Sequence, residues 1–195
     1  RILVLSDVYV PYYDKDALMA AVGAGKVAGV DAVLLNGDFL DFFSISRYVT
    51  DPRRRDLKGE VMMGRALLHW LREQFSGCQI WWKIGNHEER WEQYMFNKAP
   101  EVVGIEEFEL EHWMHCKKYN VRVIRDMQPV GVSRLQILHG HEYKFSISNP
   151  VNPARGLYLR GKTPAMMGHL HQSSEHTETH LNGKIVTCWS VGCLC

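Results

Sequence analysis

Side chains that commonly bind metal ions recur along this sequence of 195 residues, each directly after a short apolar run. They are Asp7, Asp38, Asp41, Asn86, His87, Glu88, His139, His141, His169 and His171. In layered α/β folds, the loops at the carboxyl ends of strands converge on ligand sites. A carboxylate can bridge two cations, and imidazole and amide groups complete shells that suit Mn, Fe or Zn. The pattern therefore predicts a metal site built from several strand ends.

No single member of this set is strong evidence. An isolated Asp after a strand is more often a turn or capping residue, and an isolated His is more often structural. His139, for example, either supports a neighbouring ligand or has only a structural part. Five strand ends that all carry such residues are difficult to explain by structure alone. Glycines directly precede Asp38, Asn86, His141 and His169, and they allow the sharp turns that direct side chains toward one point.

The apolar runs predict alternating strands and helices. Strands are expected at Ile2–Ser6, Ala32–Leu35, Gln79–Ile84, Val121–Ile124, Leu135–Leu138 and Ala165–Met167, followed by a hairpin over Glu175–Trp189 around Asn182-Gly183. Helices are expected at Ala17–Val30, Gly59–Phe75, Trp91–Asn97 and Ile105–Tyr119. Strands followed by helices, with an antiparallel C-terminal half, favour α/β layers around two sheets.

Composition narrows the class of protein. Apolar residues make up 46% and charged residues 23% of the chain, without a repeat or linker, so we expect a single domain over residues 1–195. The net charge of +1 argues against a protein that coats polyanions, although not against a local basic groove. No apolar run approaches the ~20 residues that span a membrane, so no membrane partner is expected. Five cysteines without a CxxC pair favour reduced thiols inside a cell.

The order of the motifs resembles the calcineurin-like metallophosphoesterase superfamily over nearly the whole chain. The motifs that carry the resemblance are Asp7, Gly37-Asp38, Gly85-Asn86-His87-Glu88, Gly140-His141 and Gly168-His169-Leu170-His171. The segments LNGDFLDFFS, GNHEERWEQY and GCLC are also similar to calcineurin-like proteins of phages and prophages. The resemblance implies an α/β fold with a four-layer double β-sandwich flanked by helices. It also implies a location in the cytoplasm of a bacterium or a phage-infected host.

The resemblance further implies a centre of two divalent transition-metal ions, with Mn²⁺ favoured and Fe, Zn, Ni or Mg as alternatives. Asp38 would bridge the two ions. The expected metal residues are Asp7, Tyr9, Asp38, Asn86, His141, His169 and His171. Asp7 and His171 would serve the first ion.

Two further residues have implied roles in catalysis. His87 would stabilise the leaving group or donate a proton to it, without binding metal. Asp41 would orient His87 or a metal ligand.

One residue departs from the family pattern. The family's first motif is Asp-x-His, whereas this chain has Asp7-Val8-Tyr9. A phenol has an ordinary pKa near ~10 and binds metal well only when a strong Lewis acid deprotonates it. Tyr9 is therefore an unusual ligand, a bystander that leaves one metal under-coordinated, or an introduced substitution.

The implied activity is hydrolysis of phosphate esters, whether diesters or monoesters, by a water that two metal ions activate. The expected partner is a phosphate-ester substrate, with nucleotides and nucleic acid among the candidates. One alternative is a scaffold or binding protein that has kept this fold and is impaired in catalysis, which Tyr9 slightly favours. The other is a metal hydrolase of amides or lactones, for which no motif such as HExxH is present.

Other polar clusters are interpreted as structural. His112, His115 and Cys116 are expected on the wet face of a helix, and residues 53–55, all Arg, in a solvated loop that could also contact a phosphate-bearing substrate. Five aromatic residues near the motif turns could stack on a base, but a place in the core is preferred. They are Tyr12, Tyr13, Phe39, Phe42 and Phe43.

Overall fold

The structure is a computed structural model that describes residues 1–125, 127–143 and 151–195. The chain divides into two compact units. The first unit comprises Arg1–Arg125 with Leu194–Cys195, and the second comprises Asp126–Cys193. The expected single domain over residues 1–195 stays a prediction.

The first unit is built on a four-stranded parallel sheet in the order β1-β2-β3-β4. Its strands are β1 (Ile2–Leu5), β2 (Ala32–Asn36), β3 (Gln79–Lys83) and β4 (Val121–Ile124). Every residue of β2 is buried, as expected for a strand that is covered on both faces. Because the strands are parallel and in register, the loops after β1, β2 and β3 leave the same edge of the sheet.

Helices flank this sheet. They are α1 (Lys15–Ala28), α2 (Leu57–Gln74), α3 (Glu89–Lys98) and the single turn α4 (Leu110–Trp113). Short 3-10 turns occur at Phe43–Ile45, Pro52–Arg54, Pro100–Val102 and Glu106–Phe108. The Asp14 side chain caps α1 by accepting hydrogen bonds from the amides of Asp16 and Ala17. Leu68 and Leu71 of α2 are fully buried in the core.

The second unit is built on a five-stranded mixed sheet in the order β5-β6-β7-β9-β8. Its strands are β5 (Val130–Val132), β6 (Leu135–Leu138), β7 (Ala165–Met167), β8 (Ser174–Thr179) and β9 (Ile185–Ser190). Helix α5 (Pro153–Gly161) packs on this sheet, and Leu157 joins Met167 and Val186 in a small core. Strands β8 and β9 pair antiparallel as the predicted hairpin.

The predicted α/β class, with two sheets and flanking helices, is confirmed. Strands Val121–Ile124, Leu135–Leu138 and Ala165–Met167 have the predicted bounds. No helix among the described residues is long and apolar enough to cross a membrane.

The helix predicted over Ile105–Tyr119 is wrong over most of its length. The segment forms only a 3-10 turn at Glu106–Phe108 and the single turn α4. His115 adopts a left-handed conformation with φ of 55°, which no helix interior tolerates. The chain therefore passes through turns over residues 114–120 before it enters β4 at Val121.

Helix α5 and strand β5 were not predicted. Asn152-Pro153 was the overlooked signal for α5, because the Asn152 side chain caps the helix and proline occupies its first turn. Strand β5 has only three residues and contains a central glycine, which weakens the strand pattern.

Candidate metal centre

The loops after β1 and β2 run side by side in the first unit. The amide of Asp7 donates to the Gly37 carbonyl at 3.2 Å, and the amide of Tyr9 donates to the Asp38 carbonyl at 3.0 Å. Asp7, Tyr9 and Asp38 all have positive φ, at 55°, 54° and 50°. This conformation is uncommon outside glycine, and such strain concentrates at functional sites. Both carboxylates, Asp7 and Asp38, are fully buried.

The loop after β3 approaches the same place. The His87 amide donates to Asp38 Oδ1 at 2.9 Å, and Asn86 precedes it in this loop. A Cβ atom on Gly85 would lie 2.5 Å from the Asp38 amide nitrogen, so the close approach requires glycine. Three strand ends thus bring Asp7, Asp38 and His87 together, as the sequence predicted for the strands of this sheet.

Glu88 ties two of these loops together. Its buried carboxylate accepts hydrogen bonds from the amides of Gly85, Asp38 and Leu40, at 2.8, 2.9 and 2.9 Å. Hydrogen bonds to an ionised carboxylate are roughly twice as strong as neutral ones. Glu88 therefore holds the Asp38 turn against the β3 loop. The sequence showed Glu88 in the motif but did not indicate this role.

His87 is fixed by Asp41. His87 Nδ1 lies 2.7 Å from the Asp41 carbonyl oxygen and 3.1 Å from Asp41 Oδ1. Burial lowers the pKa of His87, but the hydrogen bond to Asp41 and the charge of Asp38 outweigh it, so the net pKa is above the ordinary value. The contact is the one expected of a residue that orients His87.

Arg90 was overlooked in the sequence. Its guanidinium donates to the Asp41 carbonyl at 2.8 Å and lies 2.9 Å from His87 Nε2. Its position three residues after His87, on the first turn of α3, was the available signal, because side chains three apart on a helical turn are neighbours. Arg90 thus places a cation next to His87.

Tyr9 contacts the carboxylate that is expected to bridge the metals. Its hydroxyl donates to Asp38 Oδ2 at 2.7 Å, and its ring meets the His87 ring edge-on with centroids 4.6 Å apart. Burial, followed by the charges of Asp38, Asp7 and Glu88, raises the pKa of Tyr9 far above its usual range. In this contact with Asp38, the Tyr9 hydroxyl keeps its proton and is the hydrogen-bond donor.

A cluster of imidazoles forms in the second unit. The ring centroid of His139 lies 5.2 Å from that of His141 and 5.1 Å from that of His169, and the centroids of His141 and His169 are 6.3 Å apart. His139 is fully buried. A Cβ atom on Gly140 would lie 2.9 Å from the Cβ of His169, so glycine permits this approach. His171 follows the same strand as His169 and is exposed, with φ of 54°.

Glu142 supports the turn that carries His139 and His141. Its carboxylate accepts hydrogen bonds from the amides of His139 and Gly140, at 3.0 and 2.6 Å. The side chain is only 2% exposed. The repeated His-Glu pair, at residues 87–88 and 141–142, was the sequence signal for both buried glutamates.

The donor chemistry of the two units suits divalent metal ions. The first unit offers the carboxylates of Asp7 and Asp38 with the amide of Asn86, a set that suits Mg or Mn. The second unit offers imidazoles, which suit Zn, Fe or Ni. Buried carboxylates close to one another also favour a nearby cation. That residues of both units bind the same two ions stays a prediction.

Residues 1–182 match the family model of calcineurin-like phosphoesterases. The chain belongs to this family. It is similar to the Gene 54 protein of Mycobacterium phage L5, at 24% identity over 98% of this chain and 77% of that protein. It is also similar to the Gene 54 protein of Mycobacterium phage D29, at 26% identity over 88% of this chain and 69% of that protein. The predicted resemblance to phage members of the family is confirmed. Membership supports metal-dependent phosphoester hydrolysis in general and implies divalent metal ions.

The structure describes the burial of three groups of residues that the sequence analysis interpreted as structural. Cys116 is buried, and burial raises its pKa to about 12, so it is a core thiol rather than part of a wet face. Phe39 and Phe42 are fully buried, as preferred, whereas Tyr12 is 51% exposed. The residues at 53–55 are all exposed.

Proposed function

We propose that this protein hydrolyses phosphate esters with two divalent transition-metal ions, Mn²⁺ being favoured. The observation that carries the proposal is the hydrogen-bonded cluster of Asp38, His87 and Asp41 at the strand ends of the first unit. Asp38 and His87 are residues of the family's motifs, and the side chains of all three are buried or nearly so. The substrate is a phosphate monoester or diester, and the cytoplasm of the host cell is the expected location.

Bound divalent ions supply a polarised phosphoryl group and a water of lowered pKa. The chain's own contribution begins with Asp38, whose two carboxylate oxygens are oriented by the His87 amide and the Tyr9 hydroxyl. Orientation by such partners matters, because their loss costs ~10–100-fold in metal affinity or activity.

His87 is positioned to act on the leaving group. Asp41 holds Nδ1, which leaves Nε2 on the side of Arg90 and Tyr9. In the described geometry Nε2 accepts a hydrogen bond from the Arg90 guanidinium, which has only donors. Nε2 would therefore protonate the leaving oxygen or stabilise its charge once Arg90 has turned to the phosphate. The guanidinium of Arg90 next to it would offset the charge that develops on the phosphate.

Residues of the second unit complete the proposed ligand set. We assign Asn86 of the first unit, with His141 and His169, to one ion, and Asp7 with His171 to the other. His139 would act as a buried neighbour that fixes the rings of His141 and His169, since its ring contacts both.

A catalytically impaired scaffold is the second candidate, and Tyr9 is the observation that favours it. Tyr9 stands at the position where the family has a histidine that binds metal. Its hydroxyl instead donates a hydrogen bond to Asp38 Oδ2. A neutral phenol is a weak ligand, so one ion would be held loosely. Retention of the other motif residues favours the enzyme.

Metal dependence separates the two candidates. Protein stripped with EDTA should not hydrolyse p-nitrophenyl phosphate or bis(p-nitrophenyl) phosphate, and adding Mn²⁺, Ni²⁺, Zn²⁺ or Mg²⁺ in turn identifies the ion that restores the rate. The variant Asp31→Asn is the control for the loss of a carboxylate outside the site, because Asp31 is exposed and paired with the Arg1 amino group. It should respond to EDTA and to added metal as the unaltered protein does. Full activity in verified metal-free protein would refute the proposal. Metal binding without hydrolysis of any ester would favour the scaffold.

A further inference from the structure

A polar groove with a cavity volume of about 500 Å³ lies in the first unit, between the 3-10 turn at Phe43–Ile45 and helix α3. Four cationic side chains line it: Arg47, Arg55, Arg90 and Lys98. Among the described residues, no Asp or Glu does so. We call this groove, with the four cationic side chains that line it, the arginine groove. Its volume is within the ~300–1,000 Å³ of ordinary ligand pockets, and far more than one phosphate ion needs.

Helix α3 separates its charges between two faces. Arg90, Tyr94 and Lys98 follow one another at four-residue spacing and face the arginine groove. Glu89 and Glu92 line a different cavity, of about 220 Å³. The helix therefore presents only its basic and neutral side to the groove. This separation favours an anionic ligand there.

Arg90 connects the groove to the proposed catalytic residues. Arg90 lines the groove, and its guanidinium contacts His87 Nε2 and the Asp41 carbonyl. A ligand in the groove would thus extend away from the group that acts on the leaving oxygen. The remaining cations then lie where further phosphates of the same ligand would be.

Aromatic side chains accompany the cations. Tyr94 lines the groove and is 39% exposed, with one ring face stacked on Trp91. Tyr48 is next to the lining residue Arg47, is 63% exposed, and holds the Arg47 guanidinium 5.1 Å from its ring centroid. Cations that follow a phosphate backbone, together with aromatic rings on which bases stack, are the usual means of binding single-stranded nucleic acid.

We infer that the arginine groove binds the phosphates flanking the scissile bond of a single-stranded polynucleotide. This inference rests on the proposed function and names its substrate class. A mononucleotide would leave several of the cations unused. An acidic or phosphorylated peptide would use the cations but would not use the exposed tyrosine rings in the same way.

The test compares two double variants that remove the same charge from the same loop. Arg47→Gln/Arg55→Gln removes two cations of the groove. Arg53→Gln/Arg54→Gln is the matched control, because neither residue lines the groove, Arg53 pairs with Asp51, and Arg54 lies over the Phe43 ring. Circular dichroism of both variants checks that they are folded.

Binding is measured without turnover, by the fluorescence anisotropy of a labelled oligothymidylate in EDTA at several salt concentrations. The groove variant should bind about 10-fold more weakly, and the slope of log K against log salt should fall by about 1.4, since each phosphate contact to a single strand contributes about 0.7. The control variant should leave both the affinity for the oligothymidylate and the salt slope unchanged. With metal restored, the groove variant should also lower the ratio of kcat/KM for the oligonucleotide to that for a p-nitrophenyl ester.

Three results would overturn the inference: unaltered binding by the groove variant, equal loss in the control, or competition by a mononucleotide or phosphoserine peptide as strong as that by the oligonucleotide. Hydrolysis of p-nitrophenyl esters without arginine-dependent oligonucleotide binding would refute this inference alone. Arginine-dependent binding without hydrolysis of any ester would refute the proposed function, and with it the scissile bond, but would leave the arginine groove as a binding site for single strands.

Discussion

Glu88 in the first unit and Glu142 in the second both follow a histidine of the motif, and both are almost fully buried. Glu88 reaches amides 48 and 50 residues earlier in the chain, at Leu40 and Asp38, as well as its own turn at Gly85. The hydrogen bonds of Glu142 to His139 and Gly140 run within a single turn. Glu88 thus joins distant strand ends, whereas these two hydrogen bonds of Glu142 stay within its own turn, which the Gly168 amide ties to the end of β7 by donating to the His139 carbonyl at 2.8 Å.

The two clusters also differ in charge. The first unit concentrates three buried carboxylates, those of Asp7, Asp38 and Glu88, with the cation Arg90 alongside. The second unit presents imidazoles, which bind metal in their neutral form. Loss of a carboxylate therefore removes charge as well as a ligand. Substitutions in the first unit should be the more costly.

The largest effect is expected for Asp38→Asn. The change keeps the shape of the side chain but removes its charge, so activity with added metal should fall by at least ~10³-fold, more than the ~10–100-fold of a supporting residue. His169→Gln should cost less, about 10²-fold. Measurements are kcat/KM and metal content by elemental analysis. If Asp38→Asn retained both ions and a tenth of the rate, the bridging role would be wrong.

The next effect is that of His87→Ala. General acid–base groups contribute ~10²–10⁴-fold, so turnover should fall by about 10²–10³-fold. Metal content should be nearly unchanged, because His87 is proposed to act on the leaving group. His112→Ala is the control, since His112 is exposed on α4. Loss of metal together with rate would show that His87 is a ligand.

A smaller effect, on stability, tests the comparison itself. Glu88→Gln replaces one carboxylate oxygen with an NH₂ group, which cannot accept a hydrogen bond from the one or two backbone amides that donate to that oxygen. Each buried amide left unsatisfied costs ~1–3 kcal/mol. We expect the free energy of unfolding to fall by about 3 kcal/mol. Glu142→Gln should cost only about 1.5 kcal/mol, because fewer amides of its turn are affected. Urea unfolding measures both, and equal losses would contradict the difference between local and long-range bonding.

The same difference explains what the sequence could and could not predict. A buried parallel strand leaves a continuous apolar run, so β2 was visible together with the motif residues at its end. The edge strand β4 was visible from its β-branched residues, although Arg122 interrupts the apolar run. Helix α5 needed attention to Asn152-Pro153, and the break at His115 arises from a backbone conformation that side-chain periodicity does not encode.

Residues that act across the fold were harder to predict. Glu88 accepts from the Asp38 amide across 50 residues of sequence, and Arg90 contacts the Asp41 carbonyl across 49. Such pairs exist only after β2 and β3 have aligned in the sheet. A sequence motif indicates which side chains can bind metal or transfer protons. Their hydrogen-bond partners are set by tertiary structure and cannot be read from the motif.

Tyr9 gives the smallest expected effect and the sharpest distinction within the carboxylate cluster. Its hydroxyl donates to Asp38 Oδ2 at 2.7 Å. A neutral phenol in that role is a poor ligand for Mn²⁺, so the ion near Asp7 should be the weaker of the two. Tyr9→His restores the family's Asp-x-His pair, and we expect it to lower the Mn²⁺ concentration for half-maximal rate by about 5–10-fold, or roughly 1 kcal/mol.

Tyr9→Phe is the matched control, because it removes only the hydroxyl. It should leave the Mn²⁺ requirement within about threefold, since one hydrogen bond to a charged group contributes ~1.5–3 kcal/mol and part of that is replaced by solvent or metal. Titration of metal-free protein with Mn²⁺, alongside its visible spectrum as purified, distinguishes the remaining possibility. A phenolate bound to Fe³⁺ would colour the protein, and both variants would bleach it. Two equally tight, colourless sites that neither variant alters would mean that Tyr9 has no influence on the metals, and that the carboxylate cluster binds them without regard to this departure from the family pattern.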